Sequence, residues 1–135
     1  MNYDIFNESR FWFPVNKITK VYDGDSPTVF LDRGFSDFKL IDMRIEGIDT
    51  PEQRTPEGKI VTRLATEFLM KPYKMIICKS SAVDKDKFGR ILGDLICDGQ
   101  SYSEWLLANK LARPYNGGAK IAWTPEQISI ILAKT

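Results

Sequence analysis

The chain has 135 residues, is 43% hydrophobic and carries a formal net charge of +1, which fits one compact domain with a single core. The near-neutral charge excludes a polycation that coats nucleic acid, so attraction for a polyanion must come from a local basic cluster. The absence of histidine excludes Ser-His-Asp and Cys-His catalysis and histidine-based metal sites, and two cysteines are too few for a structural zinc site. The kind of metal site that remains possible is one in which oxygen ligands bind a hard cation.

We predict an N-terminal extension of uncertain structure over residues 1–16 and a single domain over residues 17–135. The aromatic residues within 11–14 either pack on the domain surface or form a partner-binding arm. The N-terminus lacks the basic and then apolar pattern of a signal peptide, and no apolar run reaches membrane-spanning length. We therefore expect a cytoplasmic protein that binds no membrane.

The first half of the chain is predicted to form three strands and a helix. The helix has Thr55 as a plausible N-cap and ends before Pro72, because apolar residues recur at helical spacing between them. The strands are predicted at Lys17–Tyr22, Thr28–Leu31 and Phe38–Ile48.

The second half is predicted to add two strands, Lys74–Lys79 and Gly89–Cys97, separated by the charged loop Asp84–Phe88. Ser101 or Ser103 can cap a short helix, Leu111–Tyr115 is predicted to be extended, and Thr124 opens a terminal helix with a capping box. Cys78 and Cys97 lie in apolar runs and are predicted to be buried free thiols rather than a disulfide. The strand count alone predicts an α+β fold.

Three motifs of acids and arginines flank these apolar segments. Asp25 and Asp49 fall at strand ends, where two converging carboxylates would repel each other unless a cation lay between them. Each residue also has an ordinary explanation, such as an Asp-Gly turn, an exposed loop glutamate or a solvated surface arginine. Together they indicate a metal ion and a phosphate. The motifs are Asp23-Gly-Asp-Ser26, Arg44-Ile-Glu-Gly-Ile-Asp-Thr-Pro-Glu52 and Asp86-Lys-Phe-Gly-Arg90.

In this order, the three motifs resemble those of the staphylococcal nuclease (thermonuclease) family, over roughly residues 17–125. The resemblance implies an α+β fold, a five-stranded OB-type β-barrel with about three α-helices. It also implies a monomeric, calcium-dependent endo- or exonuclease that hydrolyses phosphodiester bonds of DNA and RNA by metal-assisted, in-line attack of water. The products would carry 3′-phosphate and 5′-hydroxyl ends. The well-known relatives are secreted, so this chain would be a cytoplasmic or phage-encoded form.

The resemblance also assigns roles to residues. Asp25, Asp49 and the backbone carbonyl of Thr50 would be the calcium ligands. Glu52 would be the general base, or more weakly would orient the attacking water. Two arginines, Arg44 and Arg90, would bracket the phosphate with bidentate contacts.

Lys87, Phe88 and Tyr115 would bind the phosphate and base of the nucleotide. The prototype has a tyrosine at the position of Phe88, so a hydroxyl contact is missing here. Pro27 and a shorter loop after Glu52 are further departures, which bear on substrate affinity rather than on the reaction. The alternative is a non-catalytic, OB-type module that binds nucleic acid. A structural OB protein that binds single strands is a third possibility, which the near-neutral charge disfavours.

Overall fold

The computed structural model describes residues 12–85 and 88–134, with only the backbone described at 81–85. Within these ranges the chain forms eight strands and three helices. The strands are β1 (Trp12–Val21), β2 (Pro27–Asp32), β3 (Phe38–Ile45), β4 (Ile48–Asp49), β5 (Ile76–Lys85), β6 (Ile91–Cys97), β7 (Gln100–Ser101) and β8 (Arg113–Pro114). The helices are α1 (Pro56–Leu69), α2 (Tyr102–Ala108) and α3 (Pro125–Leu132).

Five of the strands close into a mixed barrel. β1 pairs antiparallel with β2 and β5, and β2 pairs with β3 and β5 with β6 in the same way. A parallel pairing of β3 with β6, which sets Met43 opposite Ile91 and Ile45 opposite Gly93, completes the closure. The closed five-stranded barrel with three helices confirms the predicted OB-type α+β fold.

Helix α1 completes the core of the barrel. Its buried Val61, Ala65 and Phe68 join the same apolar cluster as the inward-facing residues of β2 and β3. The Phe68 ring also stacks on Trp105 of α2, with centroids 4.1 Å apart. The apolar stripe that predicts α1 is therefore the face that it buries.

Strand β1 begins at Trp12, five residues before the predicted start at Lys17. The reason is a long-range pairing, because Trp12 and Pro14 lie opposite Lys79 and Ile77 of β5. Residues 12–16 thus belong to the sheet rather than to an extension, while residues 1–11 lie outside the described part of the chain.

The predicted long third strand is interrupted. β3 ends at Ile45, and Gly47 adopts φ +81°, a left-handed conformation that glycine accepts without strain. The resulting turn leads into β4, which leaves the barrel and pairs with β8. The charged loop predicted from Asp84 also begins later, since β5 continues to Lys85.

The predicted helix starts are confirmed. The Thr55 side chain accepts a hydrogen bond from the Gly58 N–H, and Thr124 forms the capping box with Gln127. Ser101, rather than Ser103, caps α2.

The predicted buried free thiols are confirmed at both cysteines. Cys78 and Cys97 are each about 1% exposed, and Cys78 Sγ lies 3.8 Å from Met43 Sδ. None of the helices in the described ranges is long and apolar enough to cross a membrane.

Candidate active site

The turn after β1 places Asp25 against Thr50. Asp25 is 5% exposed, its Oδ2 accepts a hydrogen bond from the Thr50 N–H at 3.1 Å, and its own N–H donates to Thr50 Oγ1 at 3.2 Å. The Ser26 hydroxyl donates to the other oxygen, Oδ1, at 2.9 Å. A Cβ atom at Gly24 would lie 2.8 Å from Val61 Cγ1, so the turn packs this closely on α1 only because Gly24 has no side chain. The first and second motifs are therefore joined at Asp25 and Thr50.

Asp49 ends β4 and is 2% exposed. Its Oδ2 accepts two hydrogen bonds from Arg113, from Nε at 3.2 Å and from Nη2 at 3.0 Å. Its Oδ1 lies 3.0 Å from the ammonium of Lys120, whose side chain is 55% exposed. A buried carboxylate is costly unless it is paired, and these cations together with their hydrogen bonds hold it in one orientation.

Arg44 lies between the two aspartates. Its Nη1 is 3.4 Å from Asp25 Oδ2 and its Nη2 is 3.9 Å from Asp49 Oδ1. The same two nitrogens donate to the backbone carbonyls of Ile45 at 2.8 Å and Ile48 at 2.9 Å. Arg44 is only 9% exposed, so its guanidinium is fixed to the backbone and to both carboxylates at once. Its positive charge therefore lies between the two carboxylates that were expected to converge.

A cavity of about 510 Å³ opens over Asp25 and Arg44, whereas Asp49 lines a separate cavity together with Thr50 and Glu52. The first cavity brings together residues of all three motifs and adds basic side chains from the loop before α1, from α1 itself and from the segment after β8. Its lining includes Asp23, Asp25, Arg44, Thr50, Glu52, Arg54, Lys59, Arg90 and Lys120.

Glu52 has a fixed backbone and an exposed carboxylate. Its carbonyl accepts a hydrogen bond from Thr55 Oγ1 at 2.7 Å, and a Cβ atom at Gly58 would lie 1.7 Å from that carbonyl oxygen. The first turn of α1 therefore packs directly against Glu52, which is possible because residue 58 is glycine. The carboxylate is 64% exposed and pairs with Arg54 Nε at 2.6 Å.

Asp23 adds a third carboxylate to the rim of the cavity. Partial burial raises its pKa, and the nearby carboxylates of Asp25 and Glu52 raise it further. The hydrogen bond that its Oδ1 accepts from the Gln53 N–H, and the ammonium of Lys120, act in the opposite direction. Burial is the largest of these effects, so the raised pKa mainly reflects the loss of water around the Asp23 carboxylate.

The predicted nucleotide-binding residues lie on two sides of the cluster. Phe88 is 70% exposed and lines a neighbouring cavity with Arg90, whose guanidinium is 5.1 Å from the ring centroid. Tyr115 lines a different cavity with Arg44 and donates its hydroxyl to the Gly118 carbonyl at 2.6 Å. The structure thus does not bring Phe88 and Tyr115 into one pocket, and Lys87 lies outside the described residues.

The donor set limits the kind of metal that fits. In the described ranges, no group of three or more histidine, cysteine, aspartate or glutamate side chains is arranged to hold a metal ion. The ligands that the resemblance implies, Asp25, Asp49 and the Thr50 carbonyl, are oxygen donors without nitrogen or sulfur, and both carboxylates contact the guanidinium of Arg44. Such a set suits calcium, which accepts six to eight oxygens in flexible geometry and completes its shell with water and substrate.

Arg113 and Lys120 were not among the residues predicted from the sequence. Arg113 lies opposite Asp49 in the β4–β8 pair, and its guanidinium packs 4.2 Å from the ring centroid of Trp123. It also donates to the Ile121 carbonyl, so one arginine ties Asp49 to the segment before α3. The sequence does place an arginine inside the predicted extended segment Leu111–Tyr115. It does not indicate that this arginine pairs with Asp49, which lies 64 residues earlier in the chain.

Comparison with known proteins gives consistent matches. A sequence model described as "Staphylococcal nuclease homologue" matches residues 42–128. A probable staphylococcal-like nuclease of Oryza sativa subsp. japonica is 37% identical over 73 residues, 54% of this chain and 21% of that protein. A staphylococcal-like nuclease of Arabidopsis thaliana is 34% identical over 77 residues, 57% of this chain and 23% of that protein. This chain therefore spans about a fifth of the length of these curated relatives.

Proposed function

Because the chain belongs to the staphylococcal nuclease homologue family, matched over residues 42–128, we propose that it is a calcium-dependent nuclease that hydrolyses phosphodiester bonds of DNA and RNA. The observation that carries this proposal is the position of Arg44. It is buried, it contacts both Asp25 and Asp49, and it lines one cavity with Glu52 and Arg90. A module that only binds nucleic acid needs no such convergence of acids and arginines.

Two carboxylates and a carbonyl are the groups that would hold the metal. Asp25, Asp49 and the backbone oxygen of Thr50 would bind calcium, which supplies positive charge that polarises the phosphoryl group. The burial of both aspartates supports this assignment, because a site closed to bulk water strengthens electrostatic interactions within it. Lys120 reaches Asp49 from an exposed position, so this lysine can move away when a ligand enters.

Glu52 is the proposed general base. Its exposed carboxylate lines the same cavity as the two arginines, and it would take the proton of the attacking water. Its pair with Arg54 is solvent-exposed on both sides, and such pairs contribute little, so the pair opens at small cost. The hydrogen bond from the Thr55 hydroxyl to the Glu52 carbonyl fixes the backbone of Glu52, so its carboxylate stays near the cavity when the pair with Arg54 opens.

Arg44 and Arg90 are the proposed contacts of the phosphate. A guanidinium can present two parallel donors to phosphoryl oxygens, and negative charge grows on those oxygens as water attacks in line. Both terminal nitrogens of Arg44 also donate to backbone carbonyls, so its contact with the phosphate would use the N–H groups that remain. Arg44 is held in place by the Ile45 and Ile48 carbonyls, so little rearrangement is needed at the moment of reaction. In this proposal the arginines stabilise the developing charge and Glu52 transfers the proton.

The nature of the product ends tests the proposal. Single-stranded DNA and RNA oligonucleotides, incubated with the purified protein in calcium, should both yield fragments with 3′-phosphate and 5′-hydroxyl ends in mass spectrometry. Fragments with 5′-phosphate ends would contradict the proposed cleavage of the bond between phosphorus and the 5′ oxygen. The alternative function, a non-catalytic binding module, would be supported if the protein bound both oligonucleotides and left them intact.

A further inference from the structure

A second cavity, of about 350 Å³, adjoins the one over the carboxylates. The two share Tyr22, Asp23, Ser26 and Arg90 in their linings, so they form one continuous surface. Its size lies within the range of about 300–1,000 Å³ that is usual for small-molecule sites. It extends from Arg90, on the phosphate-binding side of the active site, to Lys20 of β1 and to Tyr22, which have no role in the proposed reaction.

Two exposed aromatic rings, Tyr22 and Phe88, line this second cavity. Tyr22 is 55% exposed and Phe88 is 70% exposed. The Tyr22 N–H donates to the Ser26 carbonyl at 3.2 Å, so this ring stands on the same turn that presents Asp25. Phe88 stands two residues before Arg90. Tyr22 is therefore close in sequence to Asp25, which would bind the metal, and Phe88 is close in sequence to Arg90, which would contact the phosphate.

Each ring also has a cation beside it. The Lys20 ammonium is 5.3 Å from the Tyr22 ring centroid, and the Arg90 guanidinium is 5.1 Å from the Phe88 ring centroid. Lys20 is itself exposed and lines the cavity. An aromatic face next to a cation is a combination that can bind one nucleotide of a single strand, with the base on the ring and the phosphate on the cation.

We propose that Tyr22 and Lys20 form a subsite for one nucleotide of the substrate strand, beyond the nucleotide that contacts Phe88. The base stacks on Tyr22, and the phosphate that follows it contacts Lys20. This inference rests on the proposed function, since it extends the strand from the same phosphate site. The subsite adds affinity for strands long enough to reach it and takes no part in the chemical step.

Binding measurements on strands of two lengths test the subsite. In the Glu52→Gln background, in which turnover should be slowed roughly 10²-fold or more, fluorescence anisotropy would give the Kd of an eight-nucleotide and a two-nucleotide thymidine strand. Tyr22→Ala should weaken binding of the longer strand roughly 5- to 150-fold, as expected for the loss of one stacked base. Tyr22→Phe should bind like the parent, because the ring alone carries the contact. Lys20→Gln should weaken binding, and the slope of log K against log salt concentration should fall by about one, as expected for the loss of one phosphate contact.

Matched controls come from the opposite parts of the barrel. Phe35→Ala removes an aromatic side chain that is fully exposed and lines neither cavity, and Lys79→Gln removes a lysine that sits 5.0 Å from the Trp12 ring. Both should bind the longer strand within twofold of the parent. A 2-aminopurine placed along the strand should be quenched in the parent and in Tyr22→Phe at one position that is not quenched in Tyr22→Ala, while quenching at the position next to Phe88 is the same in all three.

The subsite is overturned if Tyr22→Ala binds the longer strand within twofold of the parent, or keeps the quenching at every position. Turnover separates this failure from failure of the proposed function. In otherwise wild-type protein, Tyr22→Ala should raise KM for the longer strand and leave kcat within about twofold. An unchanged KM with normal kcat removes the subsite and keeps the nuclease, whereas absent turnover in the wild-type protein removes the nuclease and leaves the binding result to decide the subsite.

Discussion

The guanidinium of Arg113 holds the carboxylate of Asp49 through two hydrogen bonds, at 3.0 and 3.2 Å, across the pairing of β4 with β8. Both bonds go to Oδ2, so they leave Oδ1 directed towards Arg44 and Lys120. The Trp123 ring and the Ile121 carbonyl fix the guanidinium from its other side. Arg113 is therefore a positioning residue for a carboxylate that would bind calcium.

Arg113→Lys should weaken calcium binding by roughly 10- to 100-fold, the usual effect of removing a group that orients a metal ligand. Lysine keeps the charge and cannot offer two fixed donors to one oxygen. Isothermal titration with calcium gives the affinity without any need for turnover. Arg63→Lys, which changes an exposed arginine paired with Glu67, is the control and should bind calcium normally. Equal affinities in the two variants would show that Arg113 does not position Asp49.

Glu52→Gln keeps the shape of the side chain and removes the base. Turnover should fall by roughly 10²-fold or more, because general-base catalysis typically contributes 10²–10⁴-fold, while the affinity for the strand changes little. Glu67→Gln is a matched control, since Glu67 is also an exposed glutamate paired with an arginine. Steady-state kinetics of the two variants give the comparison, and a normal kcat in Glu52→Gln would exclude Glu52 from the reaction.

Arg44→Lys and Arg90→Lys separate bidentate contacts from general positive charge. Each should lower turnover by about 10²-fold at both low and high salt, because an ammonium cannot present two parallel donors to the phosphoryl oxygens. Arg44→Lys should also lower the melting temperature, since it removes hydrogen bonds to the buried Ile45 and Ile48 carbonyls. A deficit of only a few-fold that disappears at low salt would mean that these arginines merely attract the polyanion.

The two thiols give a prediction about pH. Burial, and to a smaller extent the charge of Asp94, raises the pKa of both Cys78 and Cys97 to about 12. At pH 8 neither should react with a disulfide reagent in the folded protein, and both should react in guanidinium chloride. Unfolded thiols ionise near pH 8.5, so the stability that these two groups contribute is complete below that pH and is lost as the pH rises towards 12. Rapid labelling of the folded protein at pH 8 would contradict their burial.

Local sequence patterns are sufficient for most of the individual helices and strands, whereas the closed barrel follows only from the family resemblance. The N-caps Thr55 and Thr124 and the apolar stripe of α1 are set by residues a few positions apart, and each was found where predicted. The start of β1 at Trp12 is not predicted from the sequence, because it depends on pairing with β5, more than sixty residues later in the chain. The break after Ile45 was also missed, since Gly47 interrupts a hydrophobic alternation that by itself favours a longer strand.

The candidate site divides in the same way. Asp25, Arg44 and Glu52 belong to motifs whose residue types indicate their chemistry, and the cavity brings them together. Arg113 and Lys120 belong to no motif, and only the register of β4 against β8 and the path of the following segment carry them to Asp49. The burial of Arg44 is not predicted either, because nothing in the surrounding sequence indicates that this residue is only 9% exposed.

Calcium dependence of cleavage tests the central claim most directly. The rate of hydrolysis of single-stranded DNA should rise with free calcium, be abolished by EGTA and be small in magnesium alone. Two carboxylates and a carbonyl suit the flexible coordination of calcium better than the strict octahedron of magnesium. Glu52→Gln, purified in parallel, controls for contaminating nucleases. Undiminished cleavage in EGTA, or no cleavage in calcium, would contradict the proposed metal-dependent nuclease.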